Sequence, residues 1–499
     1  MIDLAALHQP VPALSREAAQ IIWSYPVAAP LTPDRIILEG EGHGEAFAPR
    51  AATPVQAGRP DRPGLVPIGQ NILSDIEPQV FGREERIGLA KREGRILLEC
   101  RAGDEVAGVI LRTPGLYLPR GMNGVVVLKG SATNPLQLSI VEAGRDAPVG
   151  GQVLFHGQAE LPLPATGGEI VMVCPGGAAT ASIASLVIQP RPLGPDVLPR
   201  GTWIWEPDAW MDAPEKVAAS ARAAGLSEAA LQFRVSRGSV EGAGAASDAL
   251  SAMSARGLRL LAVEGDPAMV EEEGLRNAVA RVEVLRRFNG TLPEAARLAG
   301  LELDIEPYMT AAYRANPPDT WRTWARAVAE LSAAWGGPVS VVVPFWMLDQ
   351  EGAEQALGSV RERLSSVVVM AYRTGAQELV AASEPLLAWG GEHRVPVRVA
   401  IETGPIAEEV HRTYVRAAFG DLVLRRSASG MRAELLSSPV AASEVEPVYA
   451  YSHQVTVEPA RITFGKDAAR AARVEAEALP ILRSWPAFSG LRIHAALEH

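Results

Sequence analysis

The most informative stretch of the sequence is Leu301-Glu302-Leu303-Asp304-Ile305-Glu306-Pro307-Tyr308, in which apolar and acidic side chains alternate. A β-strand points successive side chains to opposite faces, so Glu302, Asp304 and Glu306 share one face and the apolar residues share the other. Buried carboxylates are costly unless they have partners or a chemical role. The pattern therefore predicts a strand whose end contributes acids to a site.

Strand-like and helix-like patterns alternate from Gly201 to the C-terminus. Eight such strands, separated by helices over about 300 residues, are typical of a (β/α)8 barrel, which keeps its catalytic groups at the C-terminal ends of the strands. The predicted strands are 202–205, 229–233, 259–263, 300–305, 339–343, 366–371, 397–401 and 490–493. An open doubly wound sheet is the alternative, but no glycine-rich phosphate turn follows the first strand.

The connection after the seventh strand differs from the others. Residues 405–462 contain further strand-like runs, at 422–425, 431–436 and 448–451. We expect a β-rich insertion at the barrel mouth.

The N-terminal part of the chain reads as all-β. Short apolar runs separated by Gly, Pro, Asn and Asp predict a jelly-roll-like β-sandwich over residues 31–192, which we expect to bind carbohydrate. Residues 1–30 are expected to form an arm with a short helix at 15–23. A linker at 190–195 is predicted to separate the sandwich from a barrel domain, residues 199–499, that folds by itself.

Composition restricts the function classes. The 499 residues are 47% hydrophobic and 21% charged, with a net charge of −11. This balance argues against a nucleic-acid surface and against adhesion to anionic membranes. No apolar run is long enough for a transmembrane helix, so membrane insertion is not expected. The oligomeric state stays open.

The termini and cysteines bear on localisation. The N-terminus lacks the basic and apolar regions of a signal peptide, and residues 497–499 resemble the start of a purification tag. We therefore expect either a cytoplasmic protein or a secreted or periplasmic one whose leader is missing. Cys100 and Cys174, the two cysteines, each follow an apolar run, and we expect two buried thiols rather than a disulfide. No metal-ligand spacing occurs, so neither metal nor cofactor is expected.

Side-chain parity predicts which groups surround the barrel mouth. Carboxylates, amides, aromatic rings and an imidazole follow the eight strands, and this mixture suits sugars, which need acids for catalysis and flat rings for stacking. The residues are Glu206 (or Trp205), Gln232, Arg234, Glu264, Asp304, Glu306, Trp346, Tyr372, Arg373, Glu402 and His494.

Glu306 and Glu402 are the predicted catalytic pair, because acids at the ends of strands four and seven face each other across a barrel. Glycoside cleavage needs one carboxyl to protonate the leaving oxygen and a second to attack or to activate water. We expect Glu306 to be the general acid/base, Asp304 to orient it and tune its proton affinity, and Glu402 to be the nucleophile.

These residues resemble the motifs of two groups of barrel glycosidases. Glu306-Pro307 and Ile401-Glu402-Thr403-Gly404 are similar to the acid/base and nucleophile motifs of the large clan of retaining barrel glycosidases, although Ile305 stands where that clan usually has Asn. This resemblance implies a retaining two-carboxylate mechanism.

Glycoside hydrolase family 18 provides the second resemblance. Its Asp-Gly-x-Asp-x-Asp-x-Glu and Met-x-Tyr motifs are similar to residues 299–306 and 370–372, with Ala299 and Glu302 in place of the first two acids. The resemblance implies a substrate-assisted reaction on N-acetylated sugars that uses Asp304, Glu306 and Tyr372, with Glu402 as a binding residue.

The order of motifs also resembles a group of bacterial barrel glycosidases with Asp-Ile-Glu-Pro, Met-x-Tyr-Arg, Glu-Thr and Gly-x-x-Ile-His strands. The last of these corresponds to residues 490–494. A non-catalytic polysaccharide-binding or assembly protein on a barrel scaffold is the remaining alternative, because a fold does not fix a function.

Overall fold

The structure is a computed structural model that describes residues 21–27, 35–41, 48–51, 69–112, 119–141, 148–163, 168–195, 197–236, 238–427, 430–443 and 445–497. Its strands and helices are numbered in chain order. The first strands are β1 (Ile21–Val27), β2 (Arg35–Glu41), β3 (Ala48–Ala51), β4 (Glu77–Gly82), β5 (Ile87–Arg92), β6 (Arg95–Cys100), β7 (Ala107–Arg112), β8 (Gly124–Ala132), β9 (Leu136–Val141), β10 (Pro148–Phe155), β11 (Gln158–Leu163), β12 (Glu169–Val173) and β13 (Ala179–Pro190).

The remaining strands and the helices form the C-terminal part. The strands are β14 (Arg200–Ile204), β15 (Glu228–Gln232), β16 (Val235–Ser236), β17 (Ser239–Val240), β18 (Arg259–Glu264), β19 (Leu301–Leu303), β20 (Val339–Pro344), β21 (Leu364–Met370), β22 (Val397–Glu402), β23 (Glu409–Ala417), β24 (Phe419–Ser427), β25 (Gly430–Ala441), β26 (Val448–Val457) and β27 (Phe488–His494). The helices are α1 (Pro207–Met211), α2 (Pro214–Ala223), α3 (Ala243–Ser254), α4 (Glu272–Thr291), α5 (Ala311–Ala315), α6 (Pro317–Trp335), α7 (Ala353–Val360), α8 (Ala376–His393) and α9 (Ala468–Leu482).

Eight parallel strands form a closed barrel in the order β14-β15-β18-β19-β20-β21-β22-β27. This confirms the predicted barrel, and each predicted strand lies on one of these eight. Strands such as β20, with sequence VSVVVP, are buried along their whole length, as expected for parallel strands covered on both faces. No helix within the described ranges is long and apolar enough to cross a membrane.

Local sequence signals position the helices that surround the barrel. The Asn316 side chain accepts a hydrogen bond from the Asp319 N–H at the start of α6, Pro317 occupies the first turn, and Gly336 follows the last turn with a φ of 71°. Trp321, Trp324 and Leu331 lie on the buried face of this helix. α6 therefore packs against the barrel along one apolar face.

Two five-stranded antiparallel sheets precede the barrel, in the orders β10-β9-β12-β7-β4 and β11-β8-β13-β6-β5. In β6, with sequence RILLEC, exposed and buried residues alternate strictly. Buried residues of both sheets belong to one hydrophobic cluster that also includes the core of the barrel. The two sheets are called the sandwich below, after the predicted architecture; the sandwich arrangement, the jelly-roll connectivity and the carbohydrate-binding role stay predictions.

Strand β2 corrects the predicted sandwich boundary. Residues 35–41 pair with β23 of the insertion and not with the two sandwich sheets. β1 pairs with β25, so residues 21–23, expected in a helix, are strand instead; residues 15–20 of that predicted helix lie outside the described residues. Together these strands form a seven-stranded sheet, in the order β1-β25-β24-β26-β23-β2-β3. The insertion thus obtains strands from the opposite end of the chain.

Cys100 and Cys174 form a disulfide, which corrects the expectation of two free thiols. Cys100 ends β6 in one sandwich sheet and Cys174 follows β12 in the other, with their Cα atoms 5.7 Å apart. Both side chains are buried in the core, and the sequence pattern therefore predicted two small hydrophobic residues. The bond joins the two sheets.

We expect reduction of this disulfide to lower the free energy of unfolding of the sandwich. The two cysteines are 74 residues apart, and closing a loop of that length stabilises a protein by about 4 kcal/mol in the chain-entropy model. Urea unfolding with and without reductant measures the effect. The Cys100→Ala/Cys174→Ala double variant should be insensitive to reductant. Equal unfolding midpoints for oxidised and fully reduced wild type would contradict the expectation.

The sandwich contacts the barrel at the segment between α9 and β27. The Asn123 N–H donates to the Ser484 carbonyl (2.7 Å), the Leu193 N–H donates to the Arg483 carbonyl (2.8 Å), and the indole N–H of buried Trp485 donates to the Arg120 carbonyl (2.9 Å). The predicted linker is therefore held against the barrel. That residues 199–499 fold alone stays a prediction.

Candidate active site

Polar side chains meet at the C-terminal ends of the barrel strands. They surround a cavity of about 370 Å³. Among the described residues its lining consists of Trp203, Trp205, Gly265, Pro267, Asp304, Glu306, Met370, Tyr372, Glu402 and His494. Five predicted site residues, Asp304, Glu306, Tyr372, Glu402 and His494, thus lie together.

Glu402 is buried, and both of its carboxylate oxygens are hydrogen-bonded. Oε1 accepts the Gly404 N–H at 2.6 Å, and Oε2 lies 2.6 Å from His494 Nδ1. β22 and β27 are neighbours in the barrel, and Glu402 is directly opposite His494 in their register. The carboxylate is therefore fixed in position by adjacent backbone and by the last barrel strand.

Glu306 lies three residues beyond the end of β19 and directly precedes a short 3-10 turn that begins at Pro307. The Tyr308 hydroxyl donates a hydrogen bond to Glu306 Oε1. A proton held by this carboxyl is therefore expected on Oε2. The Tyr308 ring in turn packs edge-on against Trp346, with centroids 5.0 Å apart.

Asp304 shares the inward face of its strand with Glu306, as the alternation predicts. Burial, reinforced by the negative charges of Glu306 and Glu302, raises the pKa of Asp304 to about 8. Its Oδ1 atom is buried and has no hydrogen-bond partner among the described residues. At neutral pH this side chain is therefore largely a neutral acid that faces the cavity.

Tyr372 completes the polar wall. Burial, together with the nearby carboxyls of Glu402, Asp304 and Glu306, raises the pKa of its phenol far above the usual value. The phenol therefore stays protonated and can donate a hydrogen bond into the cavity. Its ring centroid lies 6.3 Å from that of His494.

We expect the stability of the protein to fall as pH rises from about 4 to about 8, with Asp304 as a cause. The folded protein keeps the Asp304 proton up to its pKa of about 8, whereas the unfolded chain releases it near the ordinary value of 3.8. Folding is therefore favoured at low pH, and the contribution is lost as pH rises through the folded pKa, with a slope of about 1.4 kcal/mol per pH unit.

Urea unfolding at a series of pH values tests this. Asp304→Asn should flatten the dependence between pH 4 and 8, whereas Asp212→Asn, at an exposed position, should leave it unchanged. An Asp304→Asn variant with the wild-type slope would contradict the assignment.

Glu264 does not point into the cavity, contrary to the prediction. Its Oε2 accepts hydrogen bonds from Arg281 on α4, at 2.9 Å from Nη2 and 3.1 Å from Nε. Leu261 and Val263, on the same strand, belong to the cluster inside the barrel, so Glu264 lies on the outer face. Gly265 is the cavity residue, and the prediction failed by one position.

Trp346 and Arg373 are not among the residues that line the cavity. Trp346 supports Tyr308, as described above. The guanidinium of Arg373 lies 4.4 Å from the centroid of the Phe345 ring and donates to the Tyr372 carbonyl at 2.7 Å. Both residues support the lining rather than form it.

Gln232, Arg234 and Glu206 lie at the barrel rim, outside the lining. Arg234 makes a two-pronged ion pair with Asp208, with distances of 2.6 and 2.8 Å. The Gln232 carbonyl accepts the Trp210 indole N–H at 3.1 Å, which ties β15 to α1. Glu206 precedes α1 at the end of the first barrel strand.

The structure adds lining residues that the alternation of side chains along the strands could have predicted. Trp203 and Trp205 lie two residues apart on β14 and just beyond it, and Met370 and Tyr372 lie two apart at the end of β21 and just beyond it, so each pair shares the inward face. Gly265 is needed for space, because a Cβ there would lie 2.7 Å from the Asp304 carbonyl oxygen. The two tryptophans form an apolar wall for the cavity.

A charged cluster lies at the opposite end of the barrel interior. Arg492 is fully buried and donates to Glu228 (2.9 Å) and to Glu302 (3.0 Å). Glu302 is thus a structural partner, although it shares a face with Asp304 and Glu306. Gly201 makes room for this cluster, because a Cβ there would lie 1.6 Å from Arg492 Nη1.

A cluster of three or more His, Cys, Asp or Glu side chains suited to a metal is absent from the part of the chain that the structure describes.

Comparison with known proteins gives distant structural similarity. No protein-family model matches the sequence, and no curated protein matches it. The chain is similar to the N-terminal modules of an endo-1,4-β-D-xylanase from Clostridium thermocellum, with 8% identity, a TM-score of 0.28, and coverage of 67% of this chain and 80% of the xylanase chain.

Two further solved structures are a GH113 β-1,4-mannanase and a GH18 chitinase from Cycas revoluta. The mannanase has 9% identity and a TM-score of 0.36, with 60% of this chain and 87% of that chain covered. The chitinase has 14% identity and a TM-score of 0.30, with 60% and 94% covered. The barrel itself is established by the order of its own strands.

Proposed function

We propose that this protein is a glycoside hydrolase that cleaves a poly- or oligosaccharide, with Glu306 as general acid/base and Glu402 as nucleophile. The observation that carries the proposal is the meeting of these two carboxyls, from the fourth and seventh barrel strands, in one cavity with Trp203, Trp205 and Tyr372. Two carboxyls of separate roles and flat rings for stacking are what glycosidic cleavage uses.

The two carboxyls have different surroundings, which suits different roles. Glu402 is held at both oxygens, by Gly404 and His494, as a nucleophile of fixed orientation needs to be. Glu306 is hydrogen-bonded by Tyr308 at Oε1, which leaves Oε2 to exchange a proton with the leaving oxygen. Asp304, neutral at neutral pH, limits the negative charge beside Glu306.

Asp304 also favours a second candidate, a substrate-assisted hydrolysis of N-acetylated sugars. Its buried Oδ1 atom has no partner among the described residues and is available to a substrate amide, and Tyr372 lies in the same cavity. In that reaction the acetamido oxygen of the substrate attacks the anomeric carbon, and Glu402 only binds the substrate.

The first experiment measures new reducing ends released from a panel of neutral and N-acetylated polysaccharides and oligosaccharides. Hydrolysis of any member supports the proposal. Saturable sugar binding in the cavity without hydrolysis across the panel would instead favour the non-catalytic polysaccharide-binding alternative.

A second experiment distinguishes the mechanisms. Under the two-carboxylate mechanism, Glu402→Ala should lose activity, and azide should restore it and give a glycosyl azide of inverted configuration, because the anion enters the space of the missing carboxylate. Under the substrate-assisted mechanism azide has no effect and thiazoline inhibitors bind tightly. An active Glu402→Ala protein that binds thiazoline would end the two-carboxylate proposal.

The disulfide supports an exported location, because such bonds persist in oxidising compartments and are rare in the cytosol. The proposed partner is a carbohydrate, and the net charge of −11 argues against nucleic acid.

A further inference from the structure

A second cavity, of about 300 Å³, lies at the N-terminal end of the barrel, opposite the mouth. Its lining is formed by residues that precede or begin the barrel strands. They are Pro199, Arg259, Leu261, Ala299, Gly300, Leu301, Pro338, Ser340, Ser365, Ser366, Pro396, Arg398 and Ser489. Arginine and serine thus supply its polar groups, and no acid is among its described lining residues.

We call this second cavity the floor cavity. The charged side chains next to it include more arginines than carboxylates. Glu228 binds three arginines: Arg259 at 2.8 Å, Arg492 at 2.9 Å, and Arg398. Glu302 binds Arg492. Three guanidinium groups therefore face two carboxylates, which leaves one positive charge.

The carboxylate of Glu228, which binds all three arginines, stays ionised at neutral pH. Burial alone would raise the pKa of Glu228, but hydrogen bonds and charge from Arg398, together with Arg492 and Arg259, lower it to about 2. The Glu302 carboxylate accepts from the Arg492 guanidinium and from the Ser340 hydroxyl, at 3.0 Å each, as an acceptor-only group would. The surplus positive charge therefore persists across neutral pH.

Donors at the cavity remain without partners. The buried Nε of Arg398 has no hydrogen-bond partner among the described residues, although a buried donor is costly to leave unpaired. Ser365 and Ser489 donate their hydroxyls to strand carbonyls, at 2.8 and 3.1 Å. The Ser366 hydroxyl makes no hydrogen bond with the described residues. A cavity with a surplus positive charge and unused hydrogen-bond donors is suited to bind an anion that accepts hydrogen bonds.

We propose that the floor cavity binds a small monovalent anion, either a halide or a short carboxylate, that neutralises the Arg259–Arg398–Arg492 cluster. The site is separate from the proposed catalytic cavity and does not depend on the proposed glycosidase activity. The anion would act on stability, since it compensates a positive charge that the folded barrel brings out of water.

Chloride binding to the full chain, measured by the line width of the ³⁵Cl nuclear magnetic resonance, tests the proposal with a series of charge changes. The wild type should broaden the signal in a saturable manner. Arg398→Gln and, at a half-exposed position, Arg259→Gln each remove the surplus charge and should weaken chloride binding by about tenfold or more. Glu228→Gln adds to the surplus and should strengthen it.

Arg256→Gln is the matched control, because Arg256 pairs with Glu215 on the surface and contacts neither cavity. It should bind chloride like the wild type. Addition of acetate identifies the source: narrowing of the chloride signal shows that short carboxylates share the site, and no narrowing restricts the site to halides. Equal chloride broadening by wild type, Arg259→Gln and Arg398→Gln would overturn the proposal, as would loss of broadening in Arg256→Gln alone.

Discussion

Replacement of Glu306 by glutamine is expected to lower kcat on an unactivated sugar substrate by about 10²–10⁴-fold, since that is the usual contribution of a general acid. The amide cannot donate the proton that the leaving oxygen requires, while its size and its contact with Tyr308 are conserved. Substrates with a good aryl leaving group should be affected much less, because their departure needs little protonation. Steady-state kinetics on both substrate types measures this difference.

Glu206→Gln is the matched control for this experiment, because Glu206 also follows the end of a barrel strand but lies outside the cavity lining. It should keep near wild-type turnover. A folded Glu306→Gln protein, with wild-type circular dichroism and thermal unfolding, that hydrolyses the unactivated substrate at the wild-type rate would refute the assignment.

Replacement of Arg492 by methionine is expected to cost about 3–5 kcal/mol of unfolding free energy, the usual effect of removing one partner from a buried ion pair. Arg492 and Glu302 have no exposed side-chain surface. Without the Arg492 guanidinium, the Glu302 carboxylate keeps only the Ser340 hydroxyl as its partner. It then lies in the barrel interior without a positive charge to compensate it. Chemical unfolding monitored by tryptophan fluorescence measures the loss.

A control variant and a double variant test whether the loss comes from the unpaired Glu302 carboxylate. Arg256→Met removes the exposed pair with Glu215 and should cost at most about 1 kcal/mol. The double variant Arg492→Met/Glu302→Met should recover much of the loss, because replacing both partners by apolar groups removes the uncompensated charge. An Arg492→Met variant as stable as the wild type would contradict the expected loss.

The barrel was predictable from sequence because short stretches of the chain are enough to indicate each of its strands and helices. Most of the barrel strands are short, mainly apolar runs next to a helix, and β20, with sequence VSVVVP, is an example. The inserted sheet was not predictable in the same way. Nothing in residues 35–41 indicates that their partner is β23 and not a neighbouring sandwich strand, since pairing is decided by contacts between distant segments.

The structure brings together those predicted residues whose direction was fixed by alternation along their own strands. Asp304, Glu306, Tyr372 and Glu402 all line the cavity. At Glu264 the end of the strand was misjudged by one residue, and one residue reverses the face. Other residues at strand ends, such as Arg234, have partners on nearby helices or loops, which the sequence pattern does not encode.

The pairing of β2 with β23 also sets an order of events during synthesis. β2 ends at Glu41 and its partner begins at Glu409, a sequence separation of 368 positions. At about 5–20 residues per second, the ribosome needs roughly 20–70 s to deliver the partner strand. During that interval β1 and β2 have unsatisfied strand edges, which invite pairing with other nascent chains. β1 and β2 are thus synthesised well before the strands β25 and β23 with which they pair.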